Sequence, residues 1–291
     1  MRKILIIGLV VFVQICTMAQ ETISFDLEKK GGHLFFKANV CGEQTDIMLE
    51  SGIPALLIGR EFYERNIGQA LTTIATSQER IQLLHKKYDI IQKANEDINI
   101  GGINYHGPIF ILDNFEGMSI PVQYFTDNEK HAASVILDFN ENKMTIISSK
   151  EALNYTGTKI KIHYDKNLGF PLISANIRLT KSAGRAKLKG DLLIDFGNPM
   201  VLFLTKQHKE ITKAIDKGKI VPLDAYNQQG EIVAQGVYAN ELSLCGAVFT
   251  NISVGITPQP FKQLGLLGLS FFEHKKMLFN FDKAYFQIID D

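Results

Sequence analysis

Short runs of alternating hydrophobic and polar residues fill most of the chain, and turn-forming residues separate them. The runs are rich in β-branched and aromatic residues, and segments such as NVCGEQTD (39–46), NIGGINYHG (99–107) and LCGAVFTN (244–251) stand between them. A half-buried strand produces this alternation because successive side chains point to opposite faces of a sheet. The pattern predicts a mostly β protein.

Only two segments have the spacing and end signals of a helix. They cover residues 59–71 and 205–218, and the second has Thr205 as a cap and Gly218 as a stop. The apolar residues of segment 77–97 fit helical spacing about as well as they fit a pair of strands. We therefore predict two short helices and leave the type of the middle segment open.

The order of the runs repeats once along the chain. Residues 23–40 align without gaps on residues 160–177 at an offset of 137, and extra residues then enter the second copy within 179–191. Beyond them the offset is 145, so IMLESGIPALLIG (47–59) and LLIDFGNPMVLFL (192–204) place an acid, a glycine and a proline at matching positions. The sequence thus contains an internal duplication.

The duplication predicts two lobes, and the first residues predict a signal peptide before them. We assign residues 1–19 to a signal peptide, 20–150 to a first lobe and 151–291 to a second lobe. Near the ends of the lobes an offset of 144 aligns Asp138 with Asp282. Both aspartates precede turn-like stretches, where Asp commonly bonds the local backbone. We therefore interpret them as structural.

The first residues predict export. Arg2 and Lys3 precede an apolar run over residues 4–13, and Thr17 and Ala19 have the small-residue spacing of a cleavage site. Because the run is shorter than the ~20 residues needed to span a bilayer, we expect cleavage after Ala19 rather than a membrane anchor. The mature protein is then periplasmic or extracellular and has no membrane span.

Composition and motif searches exclude several classes of function. Lys+Arg and Asp+Glu both number 31, so the chain lacks the basic surplus that favours nucleic acid. The histidines have no metal-ligand spacing, and neither a Gly-x-Ser-x-Gly elbow nor a phosphate-binding loop is present. We expect no metal and no cofactor. After cleavage Cys41 and Cys245 remain, which allow at most one disulfide.

The two acid motifs resemble those of the pepsin-like and retropepsin-like aspartic peptidases. That family has two hydrophobic residues, Asp, Thr or Ser, and Gly, once in each lobe, and ESG (50–52) and DFG (195–197) stand in these positions. LGLLGLSFF (264–272) resembles the family element that passes beneath the catalytic loop, and LFNFDKAYFQI (278–288) resembles its closing hairpin. The resemblance covers essentially the whole mature chain.

The resemblance implies a fold and a catalytic pair. The fold is mostly β, with two pseudo-twofold-related β-barrel-like lobes of the acid protease type, each with a short helix after its acid motif. Glu50 and Asp195 would meet between the lobes, share one proton and hydrolyse a peptide bond with a bound water. The residues that would support them in their loops are Ser51, Gly52, Phe196, Gly197 and Gly268.

A flap over the cleft is expected from the hairpin that follows each motif. Tyr88 is the aromatic candidate in the first lobe, and residues 225–238 form the counterpart in the second. The sequence does not select one of them. The expected ligand is an extended peptide or protein substrate.

Three departures from the family pattern weaken the predicted activity. Glu50 replaces Asp, and its extra methylene displaces the carboxyl on a ~1 Å scale that can cost ~100-fold in rate. Phe196 has no hydroxyl, so half of the link between the lobes is lost. At the offset of 144 Tyr124 falls opposite Gly268, so the first lobe is expected to lack the underlying glycine element.

Two functions remain open after this comparison, and a third interpretation makes the lobes a purely structural module. The first is an exported aspartic-peptidase homologue with a peptide-binding cleft between the lobes, in which proteolysis by Glu50 and Asp195 is impaired or absent. The alternative is an active aspartic endopeptidase that uses the same two acids and a bound water. The first would be a pseudoenzyme that binds without cutting, and the second a hydrolase.

Overall fold

The structure is a computed structural model that describes residues 22–68, 71–83, 86–226, 229–230 and 232–289. The predicted signal peptide and its cleavage after Ala19 lie outside the described residues. Within the described ranges, no helix is both long and apolar enough to cross a membrane.

Strands dominate the described chain, as the alternating pattern predicted. The strands of the first half are β1 (Ile23–Lys30), β2 (His33–Val40), β3 (Glu43–Glu50), β4 (Leu56–Gly59), β5 (Ile74–Ala75), β6 (Arg80–Leu83), β7 (Lys86–Ile100), β8 (Ile103–Leu112), β9 (Met118–Pro121), β10 (Phe125–Thr126), β11 (Ser134–Asp138) and β12 (Lys143–Ile147). Those of the second half are β13 (Lys159–Lys161), β14 (His163–Tyr164), β15 (Pro171–Leu179), β16 (Lys187–Asp195), β17 (Leu202–Thr205), β18 (Leu223–Tyr226), β19 (Ile232–Leu244), β20 (Ala247–Thr257), β21 (Gly265–Gly268), β22 (Lys276–Asn280) and β23 (Tyr285–Ile289). The mostly β fold class is therefore confirmed.

Helical segments are few and short in the described chain. Two are α-helices, α1 (Arg60–Phe62), which continues as a π-helical turn (Tyr63–Ile67), and α2 (Lys209–Asp216). The others are single 3₁₀ turns, Val122–Tyr124, Glu151–Asn154 and Leu269–Phe271. Both predicted helices are confirmed, and the open segment 77–97 forms β6 and most of β7.

The cap predicted for α2 is wrong. His208 is the N-cap, and its ring nitrogen Nδ1 accepts a hydrogen bond from the Glu210 N–H at 3.3 Å. Thr205 is the last residue of β17, and its hydroxyl donates a hydrogen bond to the Gln259 carbonyl instead. The predicted stop is present, because Gly218 follows the helix with a positive φ of 63°.

The pattern of strand pairing repeats between the halves. β3 runs parallel to β9 in the first half, and β16 runs parallel to β21 in the second. β4 lies between β9 and β8, just as β17 lies between β21 and β20. Each acid motif therefore begins at the carboxyl end of a strand that has neighbours on both sides.

Six strands form a platform that joins the halves. β1, β12 and β11 come from the first half, and β22, β23 and β13 come from the second. The junction is the antiparallel pair β11 and β22, which runs from Ser134 opposite Asn280 to Asp138 opposite Lys276. Backbone hydrogen bonds thus connect the halves directly.

The platform also corrects one sequence alignment. Asp138 and Asn280 each end the first strand of a hairpin, β11–β12 and β22–β23, and a turn follows in both cases. Asp138 therefore corresponds to Asn280, and its alignment with Asp282 is wrong by two residues. The interpretation of Asp138 as structural fits its contacts, because its Oδ1 accepts the N–H groups of Asn140 and Glu141.

Candidate functional site

Each acid stands at the end of a strand whose residue just before the acid is buried. Glu50 ends β3, where the preceding Leu49 is fully buried. Asp195 ends β16, where the preceding Ile194 is equally inaccessible. The apolar residues before each acid are therefore what fixes the strand in the core and delivers the carboxyl to the loop.

The two loops meet, and each carboxyl packs against the glycine of the opposite loop. A Cβ atom added to Gly52 would lie 2.4 Å from Asp195 Oδ1, and one added to Gly197 would lie 2.2 Å from Glu50 Oε1. Neither position has room for a side chain. The Gly197 N–H also donates to Asp195 Oδ1 at 3.1 Å. The structure thus brings together the acids and glycines that the sequence singled out.

Burial raises the pKa of both acids. It raises the pKa of Asp195 to about 6, against the opposing effect of the Gly197 N–H. The pKa of Glu50 is raised well above its usual value by burial and by the charge of Asp195, although the N–H groups of Ser51, Gly197 and Gly52 act in the opposite direction. Glu50 is only 6% exposed, whereas Asp195 keeps partial access to solvent. Such a pair retains a proton at pH values where isolated carboxyls are ionised.

The Ser51 hydroxyl links the two loops. Its Oγ donates to the Ile194 carbonyl at 2.9 Å and accepts the Phe196 N–H at 3.0 Å. Phe196 occupies the matching position of the second half, and its ring packs against Phe272 and Phe279 at centroid distances of 5.5 and 5.2 Å. The side-chain link from the first loop is present, while the second loop contributes an apolar anchor instead.

Ser51→Ala is expected to destabilise the protein by roughly 1–3 kcal/mol, because the Phe196 N–H and the Ile194 carbonyl would lose their partner while buried. Urea unfolding of the variant and of wild type measures this difference. Ser24→Ala is the matched control, since Ser24 Oγ makes an exposed contact with Thr145 Oγ1 at 3.1 Å. Equal losses of stability in the two variants would contradict the role assigned to Ser51.

The strand beneath each loop is present in both halves. Gly268 of β21 lies opposite Asp195, and a Cβ atom there would lie 2.2 Å from the Met200 carbonyl oxygen. In the first half Pro121 of β9 lies opposite Glu50. The alignment that placed Tyr124 opposite Gly268 is therefore wrong by three residues. The first half keeps the element but has proline in place of its last glycine.

Sequence reasoning missed two residues that hold the first loop. Gln123 Nε2 lies 3.3 Å from the carbonyl oxygens of both Ser51 and Ile53. The Tyr105 hydroxyl accepts the Leu56 N–H at 2.9 Å and donates to a backbone carbonyl. A single Gln or Tyr carries no motif, so the sequence offers no direct signal for either role.

The flap candidate Tyr88 packs within its own half. Its ring meets Phe115 edge to face at 5.4 Å, and Lys86 Nζ lies 4.7 Å from its centroid. It belongs to an apolar cluster that includes Ile53, three residues after Glu50. In the other hairpin, β18–β19, Tyr226 is exposed. Tyr88 therefore stays a prediction as the flap residue.

The cysteines and metal-binding side chains add no chemistry to the site. Cys41 and Cys245 are free and exposed, at the tips of the β2–β3 and β19–β20 hairpins. Across the described part of the chain, no group of three or more His, Cys, Asp or Glu residues could hold a metal ion. The arrangement around Glu50 and Asp195 offers acid–base chemistry.

Comparison with known proteins identifies the fold. The chain has the fold of the pepsin-like aspartic proteinases. It is similar to the crystal structure of the aspartic proteinase from Irpex lacteus, with a TM-score of 0.57 and 10% identity over 92% of this chain and 97% of that one. No protein-family model matches the sequence, and no curated protein matches it. The similarity establishes the fold alone.

Proposed function

We propose that this chain is an exported homologue of the aspartic peptidases that binds extended peptides between two lobes and hydrolyses them far more slowly than an Asp–Asp pair would. The packing of Glu50 and Asp195 against each other's loop glycines carries the proposal. The repeated strand pairing supports lobes related by a pseudo-twofold axis, with residues 20–150 and 151–291 as their extents. Export rests on the signal peptide predicted for residues 1–19 from the sequence.

The shifted pKa values support a division of roles within the pair. Glu50 is the more buried acid, and its pKa is raised both by burial and by the charge of Asp195. It therefore keeps the shared proton and is the group that would protonate the substrate carbonyl oxygen. Asp195, with a pKa of about 6 and partial access to solvent, would take the proton of the attacking water.

The length of the Glu50 side chain supports slow hydrolysis. Its carboxyl group lies one carbon–carbon bond farther from the backbone than that of Asp, and it contacts Gly197 of the opposite loop. A displacement of about 1 Å between catalytic groups can lower a rate by ~100-fold. The two carboxyls can therefore exchange protons, but the Glu50 carboxyl does not lie where the carboxyl of an aspartate would lie.

A fully active endopeptidase is the second candidate. The observation that favours it is the retained link between the loops, because Ser51 still bonds the backbone of the second loop at both Ile194 and Phe196. The Ser51 hydroxyl therefore fixes the two acid loops relative to each other before a substrate binds. The two candidates differ in the rate that the Glu50–Asp195 pair supports.

Peptide cleavage by engineered variants tests the proposal. Glu50→Asp is expected to raise kcat by at least ~10-fold because it shortens the displaced side chain, while Asp195→Asn abolishes hydrolysis and leaves peptide affinity within a few-fold. Mass spectrometry of a peptide library digested between pH 3 and 8 measures cleavage, and calorimetry measures binding.

The exposed Glu64 gives a matched control, and Glu64→Asp should leave all rates unchanged. A wild-type kcat equal to or above that of Glu50→Asp would favour the fully active enzyme. Failure of wild type and of both variants to bind any peptide would reject both candidates.

A further inference from the structure

Backbone groups support the acid loop of the second half. The Leu269 N–H donates to the Asn198 carbonyl at 2.7 Å, and the Gly268 N–H donates to the Val201 carbonyl at 3.1 Å. Both donors belong to the segment that passes beneath the Asp195 loop. The backbone of that segment therefore holds the loop after Asp195 at two carbonyls, and the Ser270 hydroxyl of the same segment adds a hydrogen bond to the Pro199 carbonyl at 2.7 Å.

The loop of the first half is tied down by a side chain. Pro121 stands opposite Glu50, where Gly268 stands opposite Asp195, and proline has no N–H to donate. Ile53 follows Glu50 at the same spacing as Asn198 follows Asp195. Its carbonyl accepts a hydrogen bond from Gln123 Nε2.

The contacts of Gln123 define which end of its amide faces the loop. Both partners, the carbonyl oxygens of Ser51 and Ile53, are acceptors at 3.3 Å, so only the NH₂ group can face them. Gln123 is 8% exposed and lies in the 3₁₀ turn directly after β9. One amide therefore bridges the two carbonyls that flank Gly52.

The residue next to Gln123 belongs to the same support. Tyr124 packs against Tyr105 with ring centroids 5.8 Å apart, and the Tyr105 hydroxyl accepts the Leu56 N–H at 2.9 Å. Anchors thus hold the loop after Glu50 at Ser51, at Ile53 and at Leu56. The packing of the turn limits how far Gln123 can move from the loop.

We propose that Gln123 is a positioning residue, which fixes the loop that aims Glu50 at Asp195. Its side-chain amide holds the Ile53 carbonyl, where the Leu269 N–H holds the matching Asn198 carbonyl in the second half. The inference rests on the proposed function for its effect on catalysis. Its effect on the loop is independent of any activity.

Gln123→Met removes the amide while keeping an unbranched side chain of similar length. We expect kcat for peptide cleavage to fall by at least ~10-fold, with KM unchanged within twofold, because the loop loses its aim rather than its peptide contacts. Amide hydrogen exchange at Ser51 and Gly52 should become at least ~10-fold faster because local opening then costs less. Exchange of these two amides is measured by NMR.

Gln287→Met is the matched control. Gln287 is fully buried in β23 of the platform, and within the described residues its side-chain amide has no hydrogen-bond partner. This variant is expected to leave kcat and the exchange of Ser51 and Gly52 unchanged.

The two measurements separate this inference from the proposed function. If wild type and Glu50→Asp cleave no peptide, the proposed hydrolysis fails, and faster exchange in Gln123→Met still supports the positioning role. Unchanged exchange at Ser51 and Gly52 overturns the positioning role, whatever the activity of wild type. Equal acceleration in Gln287→Met also overturns it, because the effect would then be a general loss of stability.

Discussion

Gly197→Ala is expected to lower peptide hydrolysis by at least ~100-fold and to destabilise the protein by about 1–3 kcal/mol. The added methyl carbon would lie 2.2 Å from Oε1, 2.3 Å from Oε2 and 2.5 Å from Cδ of Glu50. Glu50 is buried, so its carboxyl must leave its place beside Asp195 or the loops must separate. Steady-state kinetics and urea unfolding of the variant measure the two effects.

Gly68→Ala is the matched control for this steric argument. Gly68 ends the first helical segment with an ordinary φ of −47°, and a Cβ atom there would lie no closer than 3.5 Å to its neighbours. Its substitution should change neither kcat nor the acid pair. Wild-type activity in Gly197→Ala would show that the Glu50 carboxyl is not needed where the structure places it.

Glu50→Gln is expected to stabilise the folded protein at pH 7.5 by on the order of 2 kcal/mol and to have almost no effect at pH 4. In the folded state burial raises the pKa of Asp195 to about 6, and burial together with the charge of Asp195 raises the pKa of Glu50 well above its usual value. In the unfolded chain both carboxyls titrate near pH 4. Thermal unfolding between pH 4 and 8 measures the difference, which corresponds to about 5 °C at the higher pH.

The sign of this effect follows from proton binding. Between pH 4 and the raised folded pKa values, the folded state binds more protons than the unfolded state, so the wild type loses stability as the pH rises. The uncharged amide introduced by Glu50→Gln removes the repulsion and flattens that slope. Glu64→Gln, at an exposed position, is the control and should not change the slope. A lower melting temperature for Glu50→Gln at pH 7.5 would contradict the prediction.

The fold could be predicted from the sequence where the alternation of hydrophobic and polar residues agreed with the internal duplication. Alternating runs gave the strands, and the equal spacing of Glu50 and Asp195 within their copies indicated acids at matching strand ends, where the structure has them. The role of the Ser51 hydroxyl as a link between the loops was implied by the resemblance to the aspartic peptidases, and the structure has that link. The strands and the matching positions of the acids are local in sequence or repeated, so one chain was sufficient to reveal them.

The support beneath the first loop could not be read in the same way. Counting back along the repeat placed Tyr124 opposite Gly268, because insertions between β9 and β11 differ from those between β21 and β22 and alter the offset. The backbone register instead selects Pro121. Gln123 supports the loop by hydrogen bonds to two carbonyls. These bonds depend on tertiary packing, which leaves no pattern in the sequence. The cap of α2 was misplaced for a similar reason, since Thr205 had a tertiary partner.

The pairing of β11 with β22 has a consequence for how the chain is made. Ser134–Asp138 needs Lys276–Asn280 as its neighbour, and the ribosome synthesises that partner only after all of β13 to β21. During translation, the earlier half presents an unfilled, hydrophobic sheet edge of the kind that recruits foreign strands. The platform sheet of the nascent protein is therefore complete only after the β22–β23 hairpin has been synthesised. A premature stop upstream of β22 would release an aggregation-prone fragment and not an independently folded half.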